Sequence, residues 1–382
     1  MINKDFYKLA EEDAVSRGFE VDEVLACMER ALIGAFKREH GNTSCKVEFK
    51  KDKNEILLYS VHKVVEAYTD YSKVEEQEEV SEAKEEAEEP KANEPVYAEM
   101  LLEDAKKIKS SYKLGDLVLQ PENLKNYSRT TILSAGNVYK QGVRTLEREK
   151  AYVYFKGLEN EMVNAEVSNM GDRFLTLKLG FNVTTLLPKS ELLPNDHLEI
   201  GDFVRVYIKK VEQTTKEPKV IVSRTERNLV TRLMENYIPE IKSGIIEIKG
   251  IARDPGDRTK IAIYSNDERV DAIGSCVGEG GSRIREIVNA LGGEKVDLYK
   301  WSEDPEELIA NSLQPASVTR VLSVDPKTKT SRVVVPDDHL SLAIGKQGQN
   351  VRLAVQSCGW KIDIMPTSEA YDKGLINILG LD

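Results

Sequence analysis

Apolar residues in the first part of the chain recur at helical spacing. Val24, Leu25, Met28, Ala31, Leu32, Ala35 and Phe36 fall on one face of a helix over 22–39, and Gly41 follows as a stop signal. The next segment, CKVEFKKDKNEILLYSV, alternates about a polar D-K-N turn and predicts a β-hairpin between 45 and 61. Helix and hairpin together make a compact α+β head. Further on, YAEMLLEDAKKIK predicts a helix, GDLVLQ a strand, and 128–157 a long connecting helix. From 158 to 226 the pattern changes to short strands: NEMVNAEV, FLTLKLG, VTTLLP, DFVRVYIKKV and KVIVSRT, separated by Gly, Asn, Pro and Thr-Lys turns. Five short strands in this space predict a small barrel.

The last part of the chain repeats itself. One copy reads V-G-E-G-G-S-R-I from Val277 to Ile284 and closes with G-E-K-V-D-L from Gly293 to Leu298; the other reads I-G-K-Q-G-Q-N-V from Ile344 to Val351 and closes with G-W-K-I-D-I from Gly359 to Ile364. Two strand-like segments precede each: GIIEIKGIAR and TKIAIYS, then SVTRVLSV and SRVVVP. Each copy therefore reads strand, strand, helix, Gly-x-x-Gly, helix, strand.

Composition narrows the chemistry. The formal net charge of −11 is unfavourable for a phosphate binder. However, SKVEEQEEVSEAKEEAEEPKANE over 72–94 carries ten Glu against three Lys, so one tract supplies most of it. With few apolar anchors and Pro90 and Pro95 at its end, the tract reads as a solvated, flexible insertion. Any RNA site must be a local basic groove. No apolar run approaches a membrane span, and the N-terminus lacks a signal-peptide pattern. Cys27, Cys45, Cys276 and Cys358 form no C-x-x-C pair, and the four histidines form no cluster with ligand spacing, so neither a disulfide framework, a metal site nor a cofactor is expected.

A Gly-x-x-Gly between two helices lets backbone lie close to a sugar-phosphate chain, while the following helix turns its unpaired N–H groups and positive dipole end toward the anion. This arrangement matches the KH module, which clamps about four nucleotides of single-stranded nucleic acid. One such loop is weak evidence, because helix corners use glycine simply to turn; two in matched contexts are stronger. Neither loop has the G-x-x-x-x-G-K-[ST] of a nucleotide-triphosphate site. The barrel fits an OB-fold, the commonest five-stranded oligonucleotide-binding barrel. Its Phe174, Phe181, Tyr207 and His197 read as either core or stacking platform.

Over residues 222–365 the text resembles the tandem KH domains of the bacterial NusA family of transcription factors. The residues that carry this are SRTERNLVTRL, YIPEIKSGIIEIKGIARDPGDRTKIAI, DAIGSCVGEGGSRIREIVNALGGEKVDLYKWSEDP and VVVPDDHLSLAIGKQGQNVRLAVQSCGWKIDI. GDFVRVYIKKV and IVSRT are similar to that family's S1-type RNA-binding domain, and MERALIGAFKREHG with Y-S-R at Arg129 resembles its polymerase-binding N-terminal domain more loosely. The resemblance implies a multidomain α+β chain. Residues 1–157 would form the N-terminal RNA-polymerase-binding domain, with the Glu-rich insertion 72–95 and the connecting helix 128–157. A five-stranded OB-fold (S1-type) β-barrel would follow over 158–226, two tandem type II KH domains over 227–301 and 302–368, and a short tail over 369–382.

By the same resemblance, RNA would be held by Gly278, Gly280, Gly281, Ser282 and Arg283, and by Gly345, Lys346, Gln347, Gly348, Gln349, Asn350 and Arg352. Arg129 and Lys140 would contact polymerase or exit-channel RNA. Two departures matter. The family's Pro-Arg pair in the first loop is replaced by Glu279 and Gly280, so the second loop is expected to dominate RNA affinity. In the head, Gly136 stands where a Lys is expected, with Lys140 as the nearby substitute. The implied function is that of a non-enzymatic, cytoplasmic elongation factor, a monomer that binds RNA polymerase core and nascent single-stranded RNA and modulates pausing, intrinsic termination and antitermination, together with other Nus-type antitermination factors. The alternatives are a phosphorolytic exoribonuclease, for which the head has neither the size nor clustered acidic ligands, and a ribosome-associated RNA binder.

Overall fold

The computed structural model describes residues 6–68 and 96–376, so the Glu-rich tract lies outside the described residues. The chain divides into two compact units, Met1–Lys150 and Ala151–Asp382.

In the first unit, helices α1 (Phe6–Arg17) and α2 (Val21–His40) pack through Ala10, Ala14, Val24, Leu25 and Cys27. Glu23 accepts a hydrogen bond from the Glu20 N–H at 3.0 Å and so caps the start of α2, while Gly41, at φ 76°, ends it. Leu32, Ala35 and Phe36 lie over the hairpin of β1 (Cys45–Lys50) and β2 (Glu55–Val65), against Val47, Ile56 and Leu58. The turn closes through Asn54 at φ 51°, a left-handed conformation that Asn tolerates. The helix expected over YAEMLLEDAKKIK is only half present. Ala98–Leu101 is a strand, β3, parallel to residues 62–65 of β2, and helix α3 is confined to Leu102–Ile108. Unpaired backbone along β2, together with burial of Met100, outweighs local helix preference. β4 (Leu117–Pro121) pairs antiparallel with β2, and α4 (Arg129–Gly157) is the long helix expected over 128–157.

The second unit begins with a barrel of β5 (Met162–Met170), β6 (Phe174–Gly180), β7 (Val183–Pro188), β8 (Phe203–Glu212) and β9 (Lys219–Ser223). Their order is β7-β6-β5-β8-β9, with every neighbouring pair antiparallel. The barrel is nearly closed, and the hydroxyl of Thr185 on β7 donates to the Val220 carbonyl on β9. Alternation fills it with Val167, Leu175, Leu177, Leu187, Val206 and Ile208, plugged by Ala151 and Phe155 from the last turns of α4.

Two α/β units follow, each with a three-stranded sheet. In the first, α5 (Arg227–Tyr237) and α6 (Pro239–Lys242) precede β10 (Ile246–Asp254), β11 (Arg258–Ser265), α7 (Ala272–Val277), α8 (Ser282–Ala290) and β12 (Lys295–Lys300). In the second, α9 (Pro305–Ser312) precedes β13 (Arg320–Asp325), β14 (Thr330–Val335), α10 (Leu340–Ile344), α11 (Gln349–Cys358) and β15 (Lys361–Pro366). In both, the first two strands are antiparallel and the last is parallel to the central one. This is the type II KH topology.

The first sheet buries both faces. Ile261 and Ile263 join Cys276, Ile287 and Leu291 beneath the unit's own helices. Ala262 and Tyr299 on the opposite face join the core of the second unit. There, helix α11 lies on the sheet: the Tyr299 hydroxyl donates to Ser357 Oγ at 2.9 Å, and the fully buried Lys260 donates to the Gln314 carbonyl at 2.6 Å. Gly250 permits this contact, since a Cβ there would stand 2.0 Å from the Ser357 carbonyl oxygen. The second sheet's outer face, with Val334 and Met365, is covered by Ala370 of helix α12 (Thr367–Asp372).

The barrel is fixed to the first KH unit by a buried ion pair. Arg224 donates to both carboxylate oxygens of Asp196 at 2.6 Å, to the Arg205 carbonyl at 2.7 Å and to the Ala290 carbonyl at 3.2 Å. A second buried pair joins Arg253 to Glu294, which also accepts from the Gly256 N–H at 2.8 Å and from the Thr259 hydroxyl. Saturating both charges with bonds offsets their desolvation, so loss of one partner would be severe.

Candidate nucleic-acid interface

The two Gly-x-x-Gly loops have the same backbone. Gly278 and Gly345 end α7 and α10 at φ 73°, ψ 171° and φ 76°, ψ 172°. Gly280 and Gln347 follow at φ 57° and 53°, then Gly281 and Gly348 at φ 77° and 72°, immediately before α8 and α11. The Gly281 N–H donates to the Gly278 carbonyl at 3.0 Å, and the Gly348 N–H to the Gly345 carbonyl at 3.1 Å. The third loop position is left-handed in both copies. Gln347 therefore bears a strain of about 1 kcal/mol that Gly280 avoids, which gives glycine in the first loop a conformational reason.

The side chains divide. Lys346 and Gln347 are exposed, without polar partners among the described residues, and Leu342 and Ile344 of α10 are also exposed beside them. Cation, backbone donors and apolar surface thus meet at the second loop. The first offers Gly278, Gly280 and Gly281 as backbone, Ser282 exposed at the start of α8, and Glu279 as its charged residue.

Several of the expected ligands are otherwise engaged. Asn350 is buried, and its Nδ2 donates to the carbonyls of Leu313 at 3.0 Å, Leu342 at 3.3 Å and Ala343 at 3.1 Å. Arg283, its counterpart in the first copy, donates to the Ser275 carbonyl at 2.7 Å and to Glu240 at 2.8 Å. Ser275 and Leu342 are equivalent in the repeat, so this position satisfies the open carbonyls at the end of the preceding helix. Asn350 thus braces the end of the preceding helix through its Nδ2, and Arg283 does the same through its guanidinium. Arg352 hydrogen-bonds Asp254 of the first KH unit, and Gln349 Nε2 donates to Asp257 at 2.6 Å and to Asp254 at 3.0 Å.

On the barrel, Phe174 and Phe181 are exposed, Phe181 lying 4.6 Å from the ring of Tyr154. Tyr207 is core, its hydroxyl donating to Asn160 at 3.0 Å and accepting from Asn228 at 3.2 Å. His197 is exposed on the loop between β7 and β8. Sequence reasoning missed Phe203, the most exposed barrel aromatic at 76%; its place at the first position of an outward-facing alternation was the available signal. Phe174, Leu186, Pro188 and Pro218 line a groove of 760 Å³ along β7 and β9. In the first unit, Arg129 and Lys140 are exposed on α4, about three turns apart and so on one face. Among the described residues no group of His, Cys, Asp and Glu could hold a metal ion, and no helix is long and apolar enough to cross a membrane. Burial pushes the Cys276 thiol beneath the first loop up to about 12, leaving it protonated.

Family models match along the chain in order: a NusA N-terminal domain over residues 5–149, an S1 RNA binding domain over 158–223, a NusA-like first KH domain over 224–301 and a NusA-like second KH domain over 305–372. The transcription termination/antitermination protein NusA of Halalkalibacterium halodurans is 37% identical over 98% of this chain and 91% of its own. The chain belongs to the NusA family. The Bacillus subtilis member is 37% identical across 94% of this chain and 90% of its own, and the Thermus thermophilus member 35% across 94% and 89%. Two glycines of this NusA chain have a structural account. Gly280 occupies a left-handed position at which an Arg would be strained, and a Cβ added to Gly136 on α4 would meet nothing within 4 Å, so the small size of that residue is not a packing demand.

Proposed function

We propose that this chain binds single-stranded nascent RNA through its S1 and KH modules while its N-terminal unit docks on RNA polymerase core, and that it thereby modulates pausing, intrinsic termination and antitermination without making or breaking bonds. The observation that carries the reading is the pair of glycine loops with matching backbone angles, each opening a helix of at least nine residues, in a chain that also has the family's S1 and N-terminal domains. Such helix starts favour phosphate through their free N–H groups and dipole. Holding transcript beside its exit point raises its effective concentration there and biases hairpin formation. The chain acts as a cytoplasmic monomer, with other antitermination factors as further partners. Arg129 and Lys140 are the proposed contacts of the N-terminal unit. In the KH units the RNA contacts are the loop backbones, Ser282, Lys346 and Gln347.

Two measurements test this. Gly348→Asp should weaken binding of a labelled single-stranded RNA more than Gly281→Asp, because it sets a carboxylate beside Lys346; equal losses would refute the inequality of the loops. On a hairpin-pause template, adding the chain to polymerase should lengthen the pause. An unchanged lifetime, with ribosomal proteins in place of polymerase subunits on co-purification, would favour the ribosome-associated alternative.

A further inference from the structure

The turn between β10 and β11, Asp254-Pro255-Gly256-Asp257, belongs to the first KH unit yet reaches the start of α11 in the second. Asp254 and Asp257 together take the Gln349 amide, and Asp254 takes the Arg352 guanidinium. Those carboxylates make no other hydrogen bond among the described residues. The turn is held from behind by other groups: Glu294 binds the Gly256 N–H, Asn195 Nδ2 donates to the Gly256 carbonyl at 3.1 Å, and Pro194 of the barrel packs on Gly256. Two carboxylates are thus preorganised where the orphan N–H groups and dipole of α11 favour an anion.

Comparison of the copies shows that this pairing comes from packing and not from the repeat. Arg285 occupies in α8 the place of Arg352 in α11, and it is exposed with no polar partner among the described residues. The matching turn of the second unit, Asp325-Pro326-Lys327-Thr328-Lys329, carries two lysines, and Asp325 folds back onto its own turn through the Lys327 N–H at 2.9 Å and the Thr328 hydroxyl at 2.8 Å. One copy keeps its helix arginine unpaired; in the other a carboxylate of an acidic turn pairs with it, the arginine staying partly exposed.

We propose that Asp254 and Asp257 act as an internal stand-in for RNA phosphate, withholding Arg352 and Gln349 from RNA and so setting the affinity and salt dependence of the second loop. The inference rests on reading the Gly-x-x-Gly loops as RNA clamps. A phosphate approaching past Gly348 meets two fixed negative charges, and Arg352 is neutralised before it arrives. The second clamp consequently works through backbone, Lys346 and Gln347.

The test uses the full chain, a 5′-labelled unstructured RNA of mixed sequence, and anisotropy titrations at several salt concentrations. Asp254→Asn with Asp257→Asn should bind about three- to tenfold tighter at low salt, with a log–log salt slope steeper by about 0.7, the increment of one further phosphate contact on a single strand. Arg352→Ala should change binding less than about twofold in the native background and abolish the gain in the Asn background, a coupling that a double-mutant cycle reads directly. Unchanged or weaker binding by the Asn variant, or an equal Arg352→Ala loss in both backgrounds, overturns the proposal. Asp257→Asn alone, at an exposed turn position, should give a smaller gain of the same sign and serves if the double variant does not fold. If Gly348→Asp leaves binding intact, the clamp reading itself has failed. If Gly348→Asp weakens binding but neutralising the turn does not strengthen it, the turn proposal alone has failed.

Discussion

Replacing Gly250 by alanine would set a methyl carbon 2.0 Å from the Ser357 carbonyl oxygen, where ordinary contact begins at 3.4 Å. The obstacle is backbone of α11, so relief requires the helix to retreat from the first KH sheet by about 1.4 Å or the sheet to buckle. A retreat of that size breaks the 2.9 Å bond from Tyr299 to Ser357 and opens the seam around Ala262. Overpacking of this kind costs about 1–3 kcal/mol, and the lost bond adds about 1 kcal/mol. Gly250 is not in the left-handed region, so strand preference alone would favour alanine by roughly 0.5–1 kcal/mol; a net loss of about 1–3.5 kcal/mol therefore isolates the steric effect. The chain's two tryptophans, Trp301 and Trp360, both lie in the KH region and report on this unit selectively. A fluorescence melt should show the KH transition lowered by roughly 2–14 °C at about 2–4 °C per kcal/mol. A Gly250→Ala midpoint indistinguishable from that of the unaltered chain would refute the claim that direct backbone approach joins the two units.

Two further outcomes follow from other positions. Burial lowers Lys260 from its ordinary value to about 8, so between pH 8 and 10.5 the unfolded chain holds a proton that the folded chain has released. Lys260 therefore contributes a stability that rises with pH across that window, by at most about 1.4 kcal/mol per unit; urea melts of Lys260→Met should lack this contribution, and identical pH slopes would rule it out. Gly136→Lys, on an open stretch of α4, should stabilise the N-terminal unit by about 0.5–1 kcal/mol through helix preference and extend the basic face between Arg129 and Lys140. A lower melting temperature would show that Gly136 has a packing role.

Elements governed by local alternation could be read directly from the chain. The hairpin about D-K-N, the barrel strands and the repeated strand–strand–helix–loop–helix–strand order all appear as predicted, because alternation and glycine placement are short-range signals. What stayed hidden depends on distant partners. Ala98–Leu101 becomes a strand because β2 offers an unpaired edge. Arg283 and Asn350 read in sequence only as polar residues two places past a glycine loop; their hydrogen bonds to carbonyls of the preceding helix appear only in the fold. The pairing of Arg352 with Asp254 joins residues 98 positions apart. A comparison of the two turns, acidic in one copy and basic in the other, was the one trace of it in the sequence.

Helix α12 bears on what covers the outer sheet face of a duplicated unit. The outer face of the first KH sheet is covered by the second unit's helix, so stacking of this kind generates a fresh bare face with each copy added, as in a solenoid. Val334 and Met365 would form that bare face in the second copy, and α12 seals it with Ala370. The short helix thus acts as a lid on that sheet face, and removing its grip would bare an apolar surface suited to pairing one molecule with the next.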